Sequence, residues 1–338
     1  MVLTHSNCNM ERGTIAGGRS VFSLMKNIAI TGISGYIGTR LLSHLDGIGT
    51  VQKIIGIDIK QPAFKSAKLK FYRQDILEPF GDLFTENEVD TAVHLAFVLR
   101  PTRDRASAQQ IDVGGTLNFV RACRQAGVGH ILYLSSHTVY GAHRDNPIPL
   151  TEDSPPRPVP DFQYSLDKAR TEQILRDFGK SDRNLTSTIL RSCPVIGPNA
   201  IGSAPTIMFK PPVMIGVDRF DPPMQFVHED DLIKVIETLL TQKRGGVFNV
   251  AGRGELRYSE VAGMVGKKLL RLPDGLLKFL IRMSWALHLQ NESPVSGLEF
   301  VKYPPVASTD KLAREIGFRF RYSSEEALSS FVSAVRNR

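Results

Sequence analysis

The 338-residue chain has little of what marks several protein classes. It has three cysteines, Cys8, Cys123 and Cys193. Their number is odd and their spacing is not that of metal ligands, so neither a disulfide framework nor a metal centre suits them. They read as reduced thiols of a cytoplasmic protein. No run of 18 apolar residues occurs, which excludes a spanning helix of usual length. Lysine and arginine are scattered, with no run of five or six, so there is no nucleic-acid-binding tail. Residues 1–24 lack an apolar core of useful length and are no secretory signal. The chain shows no internal repeat and no low-complexity tract.

What is present is the make-up of a soluble globular protein, 42% hydrophobic and 22% charged. The formal charge of +8 attracts anions, and a dinucleotide with an anionic substrate answers it as well as nucleic acid does. The length suits a cofactor domain plus a smaller lobe.

The organising stretch is Thr31-Gly32-Ile33-Ser34-Gly35-Tyr36-Ile37-Gly38. An apolar run, Asn27 to Ile30, precedes it. A helical pattern with apolar residues at 37, 41, 42 and 45 follows it. Strand, glycine turn and helix in that order make the phosphate-binding start of a dinucleotide fold. The backbone turns tightly at Gly32, Gly35 and Gly38, and a pyrophosphate sits on the N–H groups that open the helix at Tyr36 and Ile37. Met25 stands just ahead of the strand, so either it is the natural start or 1–24 form a disordered extension.

A second strand, Lys53 to Asp58, ends in an acid 20 residues beyond Gly38, where a carboxylate bonds the adenosine ribose. Asp58 repels a 2′-phosphate, which favours NAD over NADP, although Lys60 stands close enough to offset that repulsion. A third strand, Leu69 to Tyr72, leads to Asp75 and Ile76, beside the adenine. A fourth, Val89 to Ala96, ends in Leu95-Ala96-Phe97, small and apolar where the chain passes the cofactor. His94, inside that strand, reads as structural. A helix over Gln109 to Ala126 is capped by Gly127. A fifth strand begins at His130. Strands alternating with helices predict an α/β fold with a doubly wound parallel sheet, a Rossmann domain over 25–191 to which 225–252 return, and a smaller mixed lobe over 192–338. The proline-rich piece Pro147 to Pro160 is a surface loop.

The fifth strand ends in Ser135-Ser136-His137, where doubly wound folds bind substrates. Twenty-eight residues beyond Ser136, Tyr164 and Lys168 stand at i and i+4 on one helix face. A phenol with a pKa near 10 is a poor base at neutral pH. A lysine ammonium and a positive nicotinamide ring would bring it toward the working range, and a serine hydroxyl would hold the substrate oxygen. Such a relay matches hydride transfer.

With Asp58, Asp75 and His94-Leu95-Ala96, the stretches Thr31–Gly38, Ser135–Gly141 and Tyr164–Lys168 resemble the extended short-chain dehydrogenase/reductases, and within them the NAD-dependent epimerase/dehydratase group with its UDP-glucose 4-epimerase-like members. Leu190 to Pro198, Phe226 to Leu232 and Val247 to Gly252 extend the likeness, which covers about residues 26–325. The resemblance implies a nucleotide-sugar oxidoreductase or isomerase with NAD as cofactor. It also implies Ser136, Tyr164 and Lys168 as catalytic residues, Lys168 on the nicotinamide ribose, and a homodimer. Three departures stand out. Pro194 and Met224 occupy places where sugar-nucleotide enzymes carry Asn and Arg for the diphosphate, and Asp112 stands where a helix Asn is usual. Substrate contacts are expected at Ser136, His137 and Pro194. Arg100, Arg103, Arg105, Lys210 and Arg219 are candidate replacements for the lost diphosphate contacts.

Leu276 to Leu289 is an apolar helix pattern with Lys278 and Arg282 between, read either as packed over the substrate cleft or as a peripheral membrane or partner helix. Ser323 and Glu326 form a capping box for the last helix. Two other readings remain open: net alcohol/ketone dehydrogenation or reduction on an apolar, hydroxysteroid- or flavonol-like substrate, and a non-catalytic NAD-binding protein.

Overall fold

In a computed structural model, which describes residues 25–99, 102–290 and 295–337, seven parallel strands form the main sheet. They are β1 (Asn27–Thr31), β2 (Lys53–Asp58), β3 (Leu69–Arg73), β4 (Thr91–His94), β5 (His130–Ser136), β6 (Thr186–Ser192) and β11 (Gly246–Val250), in the order β11-β6-β5-β4-β1-β2-β3. Both readings of residues 1–24 lie outside the described residues. Met25 itself is a core side chain.

The strands are apolar on both faces because helices cover both. Ile28, Ala29 and Ile30 are fully buried. On one face α1 (Tyr36–Asp46) sets Leu41, Leu42 and Leu45 against Leu232, Val235 and Leu239 of α6 (Glu229–Thr241). On the other, Phe84 of α2 (Gly81–Glu86) meets the edge of Phe119 of α4 (Gly115–Ala126), with Leu175 and Phe178 of α5 (Gln163–Ser181) in the same cluster. Strand order reverses between β1 and β4. In open α/β sheets the ligand crevice lies at that switch point.

Two sequence expectations shift in ways that matter to the site. The fourth strand stops at His94, so Leu95-Ala96-Phe97 leave the sheet and turn across its end. The helix expected over 109–126 is present, but it starts earlier and holds a π turn. It comprises α3 (Arg105–Gln109), a π turn (Gln110–Gly114) and α4, closed by Gly127 at φ +65°. The widened turn carries Asp112 inward, where its carboxylate accepts the Val98 N–H at 2.7 Å. Such turns inside helices are frequent at functional sites.

The remaining strands form three separate two-stranded pairs. β7 (Val195–Ile196) pairs with β10 (Val227–His228), β9 (Pro223–Met224) with β12 (Leu256–Arg257), and β8 (Val213–Val217) with β13 (Lys268–Leu272). Helices α7 (Tyr258–Met264), α8 (Asp274–Ala286), α9 (Gly297–Lys302) and α10 (Ser324–Arg336) pack around them. The capping box is formed: Ser323 accepts the Glu326 N–H at 3.1 Å, and Glu326 accepts the Ser323 N–H at 2.7 Å. α8 stands at the cleft, with Trp285 in the lining of a pocket beside Tyr164, but its apolar stripe is not what faces that cleft. Of its side chains only Leu277 is fully buried, and most of its apolar stripe faces outward.

Candidate active site

The glycine turn is built to hold something close to the backbone. Gly32 has φ +73°, and a Cβ there would stand 2.6 Å from the Ala96 nitrogen. A Cβ on Gly38 would stand 2.3 Å from the Gly32 carbonyl oxygen. The backbone ladder of α1 begins with Thr39 N–H donating to Gly35 O at 2.9 Å, so the N–H groups of Tyr36, Ile37 and Gly38 precede it and are open to an anion. No side chain caps this end. These features fit the pyrophosphate of a dinucleotide. Asp58 is clamped beside the turn: its carboxylate accepts the N–H groups of Ser34 and Lys60, each at 3.0 Å. Each oxygen keeps an acceptor site for a ribose hydroxyl. Asp75 is exposed, and one oxygen accepts the Leu77 N–H at 2.9 Å. Ile76 is buried against Gly115 and supports the crevice wall. The Tyr36 side chain does structural work, donating to Glu229 of α6.

Because only hydrogen fits at Gly38, Gly38→Ala has a definite expected outcome. The turn must open, and NAD affinity measured by calorimetry should fall at least about tenfold. Wild-type affinity in a folded variant would show that the turn does not carry the cofactor.

The structure brings Ser136, Tyr164 and Lys168 together at the carboxyl end of β5. Ser136 is the last residue of that strand and caps the short 3-10 turn His137–Tyr140. Its hydroxyl oxygen accepts from Thr138 N–H (3.2 Å) and Thr138 Oγ1 (3.0 Å), which leaves its own proton to donate. Tyr164, in the first turn of α5, is partly exposed and meets the Phe97 ring edge-on at 5.6 Å. One helical turn on, Lys168 is buried and its Nζ donates to Leu134 O at 2.7 Å. Nζ also lies 3.7 Å from the centre of the Phe97 ring and 4.6 Å from that of Tyr133.

The electrostatics differ from the sequence expectation. Burial pushes the Tyr164 phenol up to about 12, against a downward pull from Ser136. Lys168 stands 5.8 Å from the Tyr164 ring centre, pointed toward Leu134, and does not bring that value down. Burial lowers Lys168 itself to about 7, with Asp112 and Glu172 pulling the other way. Burial likewise raises Asp112 to about 7, against the Val98 bond and the charge of Lys168. Acid and amine thus act on each other by charge from within the same buried surroundings.

Behind the trio lies a buried polar column. Arg191, fully buried at the end of β6, donates to Glu172 of α5 through Nε (3.0 Å) and Nη2 (2.8 Å). Ser135 Oγ donates to the same carboxylate at 2.7 Å. Tyr140 stacks on the guanidinium at 4.6 Å and donates to Asn249 of β11 at 2.7 Å. The column locks α5, and with it Tyr164 and Lys168, to three strands. Sequence reading missed Glu172. The available signal was its place four residues after Lys168, on the same helix face.

Other expected site residues fall out differently. His94 is structural as read. It is fully buried, bonded to Thr31 Oγ1 and Thr116 Oγ1, and stacked on Phe119; burial lowers its pKa to about 3. His137 is buried, bonds the Pro305 backbone and is lowered by burial to about 4, with Nδ1 unpartnered. Pro194 is half-buried and its carbonyl accepts the Val227 N–H at 3.1 Å. Of the cations suggested as diphosphate partners, Arg105 lines a pocket at Tyr164 and pairs with Asp161. Arg103 stacks on Trp285 at 4.6 Å. Arg219 lies at a separate cleft beside His143 and Arg144. Lys210 is exposed. Arg100 is outside the described residues. The Tyr164 pocket is walled by Val98, Phe162 and Trp285, with Asp112 in its lining.

Comparison with known proteins agrees with this geometry. The model of the NAD dependent epimerase/dehydratase family matches residues 28–251. An uncharacterized protein of Mycobacterium tuberculosis is 25% identical over 317 residues, covering 90% of this chain and 83% of its own length. A UDP-glucose 4-epimerase of Haemophilus influenzae is 32% identical over 196 residues, 52% of this chain and 55% of its own. The solved dTDP-glucose 4,6-dehydratase DesIV of Streptomyces venezuelae, with NAD and TYD bound, superposes with a TM-score of 0.72 at 20% identity over 92% of this chain and 97% of its own. The match spans the glycine turn, Ser136, Tyr164, Lys168 and the return strand β11, and the chain belongs to the NAD dependent epimerase/dehydratase family, as an NAD-dependent enzyme of the extended short-chain dehydrogenase/reductase type.

Proposed function

We propose that the protein acts on a carbinol of a nucleotide sugar without net oxidation, with Tyr164 as acid/base. The observation that carries this reading is the convergence of Ser136, Tyr164 and Lys168 beside a cradle shaped for a dinucleotide. When bound, NAD supplies the two-electron acceptor and, in its oxidised form, a positive charge near the phenol. Tyr164 as phenolate takes the carbinol proton and returns one at the end of the cycle. Ser136, with its acceptor sites taken by Thr138, donates to the substrate oxygen. Lys168 holds the phenolate charge and the nicotinamide ribose. Bringing the phenol down from about 12 takes a positive charge nearer than Lys168 stands by itself. Asp58 favours NAD over NADP. Residues 25–191 and 225–252 serve the cofactor, the lobe of 192–224 and 253–338 receives the substrate, and the assembly is a homodimer. The named epimerase and dehydratase relatives support this reading.

A second reading has its own observation. Pro194 and Met224 give no side-chain donors, and Val98, Phe162 and Trp285 wall the Tyr164 pocket. An apolar alcohol or ketone, hydroxysteroid- or flavonol-like, suits such walls. Native mass spectrometry of freshly purified protein reports bound NAD, any retained ligand and the oligomer together. Incubation with UDP-glucose, UDP-galactose and dTDP-glucose, followed by NMR and by absorbance at 340 nm, then separates the readings. Retained NAD, sugar conversion and no accumulating NADH are expected. The nucleotide sugars left unconverted, with NADH accumulating from exchangeable NAD on a hydroxysteroid, would establish the second reading. Absence of both NAD and turnover would overturn both.

A further inference from the structure

We propose that α8 docks the protein on an anionic lipid surface. α8 is held to the small lobe by Leu277, which packs with Val217 and Leu298, and by Ile281 at the edge of that cluster. Its other face carries large apolar side chains into solvent: Leu276 (44% exposed), Phe279 (58%), Leu280 (45%) and Met283 (42%), continued one turn on by Leu287 (60%). Steps of three and four residues put them on one stripe. A stripe of this kind on a folded protein marks a surface meant to be covered.

Charge says what covers it. Residues 265–290 contain five Lys or Arg and one acid, Asp274. Asp274 is already paired with Lys278 at 2.6 Å and Lys302 at 3.3 Å. Arg282 on the helix and Lys268 on the adjoining strand are exposed and form no ion pair among the described residues. A second copy laid on this face would set cations against cations. A lipid surface accepts both components: anionic headgroups take Lys268 and Arg282 while the apolar stripe enters the acyl boundary. The inner side of α8 adds a consequence. Trp285 lines the Tyr164 pocket, so docking through α8 holds the mouth of that pocket at the bilayer. The docking itself depends on no assignment of substrate.

Trp285 is the only tryptophan of the chain, so its emission reports whether the inner side of α8 stays seated on the pocket. The test is flotation of the full chain with vesicles of phosphatidylcholine alone and with roughly a third phosphatidylglycerol, with Trp emission recorded alongside. Flotation with the anionic vesicles only, and at least about tenfold weaker binding on raising salt from about 0.1 to 0.5 M, are expected. Phe279→Glu with Leu287→Glu, and separately Lys268→Glu with Arg282→Glu, should each reduce flotation about tenfold or more, with melting curves and NAD binding unchanged to show that the fold survives. Equal binding to neutral vesicles, or no flotation at all, would overturn the proposal. Salt-insensitive self-association that Phe279→Glu dissolves, without vesicle binding, would instead assign the face to a second copy.

Discussion

Tyr164→Phe should lower kcat by about 10²–10⁴-fold on whatever substrate the wild type turns over, while NAD affinity stays within about twofold. The change removes one oxygen and little else. The ring keeps its edge contact with Phe97 at 5.6 Å and with Phe162 at 6.3 Å, so the pocket holds its shape. Without the hydroxyl nothing at that position can hold or return the carbinol proton, and Ser136 loses its partner. The wild-type pH profile carries a matching signature. Burial, with Ser136 opposing and Asp112 adding, sets the phenol at about 12, so the free protein keeps it protonated at neutral pH. With the oxidised cofactor bound, kcat should rise with pH to a plateau well below 12, and the residual activity of Tyr164→Phe should lack that limb. A variant retaining more than about a tenth of wild-type kcat would remove Tyr164 from the acid/base role. Lys168 sets the opposite limb. Burial lowers it to about 7 in the free protein, so support for the phenolate declines as pH rises through its deprotonation.

Glu172→Ala should have the largest effect on stability, about 3–5 kcal/mol, read as a fall in melting temperature of roughly 5–15 °C. Its partner Arg191 is fully buried and always charged, so removing the carboxylate strands a cation among Tyr140, Ser135 and the sheet. Glu172→Gln keeps two polar atoms in place and should lose less. The comparison with Arg157 and Asp145 is instructive. That pair is bidentate, at 2.9 and 2.6 Å, yet sits in solvent, and breaking it should leave the melting temperature nearly unchanged. A shift under about 2 °C for Glu172→Ala would mean that the column is not what locks α5 to the sheet.

The cofactor end of the molecule was legible because its requirements are local. A strand, Gly32, Gly38 and a helix start are contiguous, and Asp58 lies at a fixed offset set by one helix and one strand. Tyr164 and Lys168 were legible for the same reason, since a spacing of four residues places two side chains on one helix face whatever surrounds it. Alternating apolar runs and helical patterns determined the doubly wound sheet, including the return of strand β11.

The tertiary structure decided what depends on burial and on partners far apart in sequence. Glu172 and Arg191 are 19 residues apart, and only the packing of α5 on β6 makes them a buried pair. Asp112 reads as a conservative departure from Asn until the π turn brings it to the Val98 N–H and into the field of Lys168. The Tyr164 phenol was expected to be lowered by Lys168. It is raised, because desolvation acts on every atom around a group and a single lysine acts only as near as the backbone lets it come. The face α8 turns outward was undecided for a related reason: its apolar pattern runs nearly all round the helix, so hydrophobicity by itself does not say which side finds a partner within the chain. Sequence alone determined where a cradle for a dinucleotide forms and which hydroxyls and amine converge beside it, since those follow from bond lengths and helix pitch. Only the folded chain decided their charge states, what anchors them and which surface is left uncovered, since those follow from the exclusion of water.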